Sequence, residues 1–315
     1  MQALQLTEYR KLQLVDMPVP SPAADEVLIQ VAACGICGSD VHGFDGSTGR
    51  RVPPLVMGHE AAGVIAAVGS AVQTFAVGDR VTFDSTISCG SCLFCKSGAV
   101  NLCERREVLG VSCGDYRRNG AFAEYVAVPA HIVYRLPDSL SFEHAAMIEA
   151  VSVALHAVRL TAPAQGSSAL VVGAGMIGLL ILQSLRVTGC GNIFVTDIDA
   201  GRLELAKKLG ATDTIEANRA TTSGEIAQHV RELTGGYGVD NVLEAVGTAA
   251  TVKTAIASAR KNATVTLVGN LAREVPLPLQ HVITHQLRLQ GSCASAGEYP
   301  QAIELMASKK IDVAP

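Results

Sequence analysis

Through the first half of the chain, short apolar runs alternate with polar residues, glycines and prolines, a pattern that predicts strands. Glu26-Val-Leu-Ile-Gln-Val31 is rich in β-branched residues. Similar runs at 63–68, 79–83, 122–128 and 132–136 are set apart by turn formers such as Gly69-Ser70 and Gly78-Asp79. Near Ser141 the pattern changes. Ser141-Phe-Glu-His144 offers an N-cap serine, with Glu143 well placed for a helix N-terminus, and apolar residues then run from 145 to 160 with Glu149 among them. A carboxylate in an apolar helix is costly unless it is paired or faces solvent. From Ser168 strands and helices alternate. The strands are expected at 169–172, 192–196, 213–215, 239–244, 263–268 and 287–291. Helices are expected to about residue 188, then at 202–209, 224–233, 249–259 and 300–308. That alternation predicts an α/β fold with a doubly wound parallel sheet, preceded by a β-rich domain.

Composition narrows the function classes. Of 315 residues, 49% are apolar and 17% charged, enough for sizeable cores in one or two domains. The net charge of −4 without a basic run argues against nucleic acid and anionic membranes as partners. No run is long and apolar enough to span a bilayer. Met1-Gln-Ala-Leu-Gln5 lacks the charged and apolar regions of a secretory signal, so a cytoplasmic location is expected.

Three features carry candidate chemistry. Cys37, His59 and Glu60 are the ligand types of a borderline-soft divalent ion, and three protein ligands with one open position is the catalytic form of a zinc site. Of the nine cysteines, four crowd into the spacing C-x2-C-x2-C-x7-C as Cys89, Cys92, Cys95 and Cys103. In a reducing compartment such a cluster reads as metal binding. Four thiolates suit a closed structural zinc, with an iron–sulfur cluster as the rival. The third feature is Gly173-x-Gly175-x2-Gly178 between a predicted strand and a predicted helix. Gly173 serves the tight turn, Gly175 the approach of a pyrophosphate, and Gly178 the packing of helix on strand. Asp197, 19 residues after Gly178, can bond both ribose hydroxyls of NAD and would repel the 2′-phosphate of NADP, so NAD is preferred. Arg202 is the counter-signal, and Ile177 and Val268 complete the candidate cofactor contacts. Cys34, Cys113, Cys190 and Cys293 read as core or loop thiols, and His281 and His285 as a solvated helix face.

Taken in order, these motifs identify a family. Cys37-Gly-Ser39-Asp40-Val-His42, Gly58-His59-Glu60-x2-Gly63-x5-Gly69-x2-Val72, the cysteine lobe and the glycine motif resemble the zinc-dependent medium-chain dehydrogenase/reductases of the alcohol dehydrogenase superfamily. Met147-Ile-Glu149-Ala-Val-Ser-Val153 resembles the branch that contains the polyol dehydrogenases. The resemblance implies a GroES-like catalytic domain over 1–155, with 292–315 returning to it and a structural zinc lobe at 89–103. A Rossmann NAD-binding domain over 156–291 would follow, with a cleft between the two. It implies two zinc ions per chain. The catalytic one would lie on Cys37 and His59, with Glu60 and Glu149 as the two carboxylates, one bound directly and the other through water or by exchange. It makes Asp40 the carboxylate that orients the ligand histidine, Ser39 and His42 the proton relay, and the protein a homotetramer or homodimer. The implied activity is hydride transfer between NAD and a secondary alcohol of a small polyol, sugar alcohol or diol. A threonine dehydrogenase-like or general secondary alcohol dehydrogenase is the alternative within the class. A non-catalytic NAD-binding protein that keeps the fold is the alternative outside it.

Two positions depart from the polyol pattern. The stretch Gly291-Ser-Cys-Ala-Ser295 lacks the arginine that holds substrate hydroxyls, and Gly43 stands where sorbitol enzymes carry an aromatic. The family's chains also continue for some tens of residues past the point that matches Pro315.

Overall fold

The period-two runs of the first half form an antiparallel sheet of five strands, in the order Tyr125–Pro129, Glu26–Gly35, Glu60–Val68, Arg80–Phe83, Val133–Arg135. The computed structural model describes residues 1–113, 115–218 and 220–314. The chain divides into two units, Met1–Glu149 with Ala296–Ala307, and Ala150–Ser295 with the residues from Ser308 onward. Pro315, the last residue of the predicted return, lies outside the described residues.

In the first unit, Val27, Ile29, Ile65, Val81 and Phe83 are buried together at the centre of the sheet. Two strands run longer than their apolar patterns. Glu26–Gly35 continues through Ala33 and Cys34 to pair Gly35 with Glu60, after a register shift between Val31 and Ala33. Neither Gly35 nor Glu60 favours a strand by itself. The ladder carries them, and it sets Glu60 at the start of one strand beside the end of the next. A methyl group on residue 35 would lie 2.5 Å from Glu60 Oε2, so the absence of a side chain there makes room for the carboxylate.

The apolar run 145–160 is broken. One helix spans Phe142–Ala146, capped by Ser141 accepting from His144 N–H. The chain turns at Met147, and a second helix spans Ile148–Thr161. Glu149 thus stands in the first turn of a helix, where a carboxylate is favoured, and not in mid-helix. The first helix packs on the strands Glu26–Gly35 and Glu60–Val68. The helix Tyr299–Ala307 also belongs to this unit, and its buried Tyr299 stacks on Tyr134 with ring centres 5.0 Å apart.

The second unit is a parallel sheet of six strands, ordered Asp213–Glu216, Ile193–Asp197, Ala169–Val172, Val239–Glu244, Ala259–Leu267, Arg288–Gly291. Numbered along the chain, that order is 3-2-1-4-5-6, the doubly wound arrangement of dinucleotide-binding sheets. The strand order reverses beside Ala169–Val172, whose C-terminal end leads into Gly173. Leu170, Phe194, Val242 and Val265 are buried in its core.

Gly178 lies in the helix Met176–Val187, packed so closely on the preceding turn that an added Cβ would sit 1.8 Å from Gly173 O. Nothing lies within 4 Å of a Cβ added at Gly175, whose φ of −68° suits any residue. Gly178→Ala is therefore expected to destabilise the protein by about 1–3 kcal/mol. Gly175→Ala should stay within about 0.5 kcal/mol of the unaltered chain. Urea denaturation of the two variants checks the contrast.

Candidate active site

The first candidate centre is assembled by two chain turns. Cys37 is the N-cap of the short helix Gly38–Phe44, and its Sγ accepts from Ser39 N–H at 3.5 Å. His59 and Glu60 sit at the entry to the strand Glu60–Val68. Cys37 Sγ, a His59 ring nitrogen and a Glu60 carboxylate oxygen lie within 4.8 Å of one another. His59 and Glu60 are buried, and Glu60 Oε1 has no hydrogen-bond partner among the described residues. A buried carboxylate oxygen with no donor is an expense that a cation removes.

Asp40, itself buried, organises this cluster. Its Oδ2 accepts from Cys37 N–H at 3.3 Å, and its Oδ1 accepts from Arg51 Nη2 at 3.3 Å. The same Oδ1 faces His59 Nδ1 at 3.4 Å, within ion-pair range but without hydrogen-bond geometry. With Nδ1 turned to Asp40, the nitrogen left for a metal is Nε2, the orientation that a carboxylate behind a ligand histidine imposes. Burial works against Asp40's charge, but the His59 contact, His59's charge and Arg51 outweigh it and hold the carboxyl below its usual range. His59 is likewise disfavoured as a cation by burial, yet Asp40, Cys37 and the charge of Glu149 raise it well above the ordinary imidazole value. Glu60 is raised by burial. A thiol and two buried carboxylates around one imidazole carry negative charge that a divalent cation offsets.

Glu149 stands apart from the three-ligand group, which it does not join within 4.8 Å. It keeps part of its surface open but lies deep enough that burial, with the charges of Glu60, Asp84 and Asp40 outweighing the pull of His59, pushes its carboxyl up to about 8. Ser39 Oγ accepts from Arg51 Nη2 at 3.1 Å. His42 lies on the exposed side of its helix, and no hydrogen bond joins it to Ser39 among the described residues. Arg51 belongs to no motif in the sequence. It lies in a loop without periodicity, and only the fold reveals that it reaches both Ser39 and Asp40.

The second centre is the cysteine lobe, whose four sulfurs lie within 4.8 Å of one another and form no disulfide. Cys92 and Cys95 sulfurs are 3.5 Å apart, and those of Cys89 and Cys95 are 3.9 Å apart. A tetrahedral ion with metal–sulfur bonds of about 2.3 Å sets its sulfurs about 3.8 Å apart. An iron–sulfur cube spreads its four thiolates over different irons and hence further apart, so the spacing fits the single ion. Backbone N–H groups of Cys89 and Arg105 donate to Cys103 Sγ at 3.3 Å, and that of Cys95 donates to Cys92 Sγ at 3.5 Å. Backbone donors, first that of Ser91, lower the Cys89 thiol to about 5, whereas burial and neighbouring thiols raise Cys95 to about 11.

The glycine loop belongs to the second unit. Gly175 caps the helix Met176–Val187 without any side-chain hydrogen bond, so the helix N-terminus is free for an anion, with open space in front of Gly175. Asp197 Oδ2 accepts from Ala174 N–H at 2.6 Å, its Oδ1 accepts from Asp199 N–H at 2.9 Å, and Arg202 Nη1 lies 3.9 Å from Oδ1. The acid and the loop are thereby one unit, with the mostly exposed Arg202 at the edge of ion-pair range. Half-buried Ile177 lies in the first turn of the same helix, and Val268 follows the strand Ala259–Leu267, its N–H on Glu244 O at 2.8 Å. His281 and His285 are not a plain solvated face. Their rings stack 3.8 Å apart, and His285 Nδ1 lies 3.1 Å from His281 O. No helix among the described residues is long and apolar enough to cross a membrane.

Comparison with known proteins agrees with this geometry. Residues 23–138 match the alcohol dehydrogenase GroES-like domain, and residues 177–308 match the zinc-binding dehydrogenase domain. The chain is 38% identical to the sorbitol dehydrogenase of Bacillus subtilis over 316 aligned positions, covering 99% of this chain and 87% of that protein. Galactitol-1-phosphate dehydrogenase from Escherichia coli superposes with a TM-score of 0.91 at 29% identity, covering 100% and 91% of the two chains. A zinc-binding dehydrogenase from Sinorhizobium meliloti bound to NADP gives 0.90 at 32% identity, covering 99% and 90%.

Two outcomes are expected. Cys92→Ser should lower thermal stability and the metal held by the lobe while leaving the metal at Cys37 in place. Intact stability with lost activity would contradict it. For Glu149 the sign follows from its raised carboxyl. In metal-stripped protein, its contribution to stability is present below the unfolded value near 4.5 and is lost as pH rises toward about 8. Glu149→Gln should therefore raise the melting temperature of stripped protein at pH 8 and not at pH 4. In metal-loaded protein it should instead reduce zinc retained after dialysis, because a carboxylate beside the cation is lost. Calorimetry and metal analysis read the two signs, and unchanged values in both forms would return Glu149 to a solvated helix face.

Proposed function

This chain belongs to the zinc-dependent alcohol dehydrogenase family, and from that premise we propose that it oxidises a secondary alcohol of a small polyol, sugar alcohol or diol with NAD as hydride acceptor. The observation that carries the reading is the Cys37–His59–Glu60 donor set next to Ser39, half-buried at Cys37 and buried at His59 and Glu60, which suits a three-ligand zinc with an open position for substrate oxygen. The first unit is the catalytic domain and the second the cofactor domain. Zinc on that set supplies Lewis acidity to the substrate oxygen, and NAD on the glycine loop supplies the hydride acceptor.

The rest is done by the chain's own groups. Asp40 fixes the ring of His59 so that Nε2 faces the metal position. Ser39 Oγ receives the proton of the substrate hydroxyl and passes its own toward His42. Glu60 is the direct carboxylate ligand, and Glu149 is the second acid that tunes the charge around the ion. Cys89, Cys92, Cys95 and Cys103 hold a second, structural zinc. Asp197 receives the ribose hydroxyls and would repel a 2′-phosphate, which favours NAD over NADP.

The absence of disulfides among the described cysteines suits a reducing cytoplasm. The outer edge of the strand Arg288–Gly291, with Leu277, Leu279 and Ile283 exposed nearby, suits pairing between copies in a homotetramer or homodimer. Light scattering that finds a monomer at micromolar concentration would overturn the assembly.

The test of the function is a panel of polyols, sugar alcohols and diols with NAD and with NADP, alongside zinc analysis. The reading expects turnover of at least one secondary alcohol, faster with NAD, and about two zinc per chain. A single zinc confined to the cysteine lobe, without turnover, would leave a protein that has kept only the fold.

A further inference from the structure

Arg51 is 5% exposed, and its guanidinium has been brought inside the first unit. One nitrogen, Nη2, reaches two acceptors, Ser39 Oγ at 3.1 Å and Asp40 Oδ1 at 3.3 Å. Space for the arginine stem comes from Gly43. A Cβ at that position would lie 2.2 Å from Arg51 Cγ and 3.0 Å from its Cβ. Gly43 is in the helix Gly38–Phe44 with no left-handed backbone, so it is required here by the arginine lying across it and not by the turn of the chain. The substitution that departs from the sorbitol pattern and the buried guanidinium are therefore one feature.

A guanidinium has donors only and does not lose its proton in a protein. A serine hydroxyl has one donor and two acceptor lone pairs. Arg51 permanently engages one lone pair of Ser39 Oγ. One lone pair and the O–H remain, the first to accept a proton from the substrate hydroxyl and the second to give one onward. We propose that Arg51 is a positioning residue that sets the direction of proton transfer through Ser39, and that Gly43 is glycine to admit it. The inference rests on the alcohol-oxidising role given to Ser39 above. The step balances within the relay: the O–H bond of the substrate breaks as a new one forms at Ser39 Oγ, and the original Ser39 proton leaves toward His42. Arg51 exchanges no proton.

The test compares Arg51→Met, Arg51→Lys, Gly43→Ala and the double variant Gly43→Ala/Arg51→Met in the zinc-loaded enzyme. Turnover by the unaltered enzyme tests the functional reading, whereas the differences among variants test Arg51, so the two failures are distinct. For Arg51→Met, kcat should fall at least about ten-fold, less than the roughly hundred-fold minimum of a proton-transfer group itself because Arg51 only positions one, with KM within about two-fold. The solvent deuterium isotope effect on kcat should rise, because proton transfer through an unanchored hydroxyl becomes more rate-limiting. Zinc retained against a chelator should not change. Arg51→Lys, which keeps a donor and a charge, should recover part of the loss. Gly43→Ala keeps the guanidinium but displaces its stem. It should show the same isotope signature at smaller amplitude, and the double variant should be no slower than Arg51→Met alone. The proposal is overturned if Arg51→Met or Gly43→Ala leaves kcat and the isotope effect unchanged. It is equally overturned if kcat falls together with zinc retention, which would place Arg51 behind the metal's histidine and not behind Ser39.

Discussion

The first unit turns on one buried carboxylate. Asp40 accepts from Arg51 and from the N–H of Cys37 and faces His59 Nδ1, so a single negative charge ties together the two chain turns that carry the donor set. A charge at that depth is tolerable only when it is matched and its lone pairs are engaged. Here each partner is also part of the site. Cys37 supplies a sulfur, His59 a nitrogen, and Arg51 a hydrogen bond to Ser39. Removing the carboxylate would release all three at once, which makes Asp40 structural and chemical in the same act.

The ladder of the antiparallel sheet supplies the second constraint. Gly35 and Glu60 are register partners, and the space left by the missing side chain is filled by the carboxylate. The sheet therefore holds Glu60 from behind while Oε1 finds no hydrogen-bond partner among the described residues. The second unit repeats the logic by other means. Asp197 is held by the N–H of Ala174 and by that of Asp199, so the acid and the glycine loop shift together or not at all.

Much of this was legible in the sequence, and the exceptions have physical reasons. The parallel sheet could be read because its central strands are apolar segments alternating with helices, and all six strands overlap the segments expected for them, although the edge strands Asp213–Glu216 and Arg288–Gly291 are mostly polar. Cys37, His59, Glu60 and the four lobe cysteines could be read because ligand chemistry restricts residue type. The break at Met147 could not, since an apolar run carries no mark of where a helix pauses and restarts, and the break decides that Glu149 begins a helix. The strand ends at Gly35 and Glu60 ran against local propensity because pairing overrode it. Arg51 stayed hidden for a different reason. Its role is a tertiary contact, and its sequence trace was a missing side chain at Gly43, which reads as a loss until the space is seen to be filled.

The cysteine lobe is graded as an acid–base system as well as spaced for a tetrahedral ion. Backbone donors hold the Cys89 and Cys92 thiols low, while burial and neighbouring thiols push Cys95 up to about 11. A cation that closes the four-sulfur shell has to displace protons from thiols of unequal acidity, so the lobe's grip on a metal is itself a function of pH and loosens as acid is added.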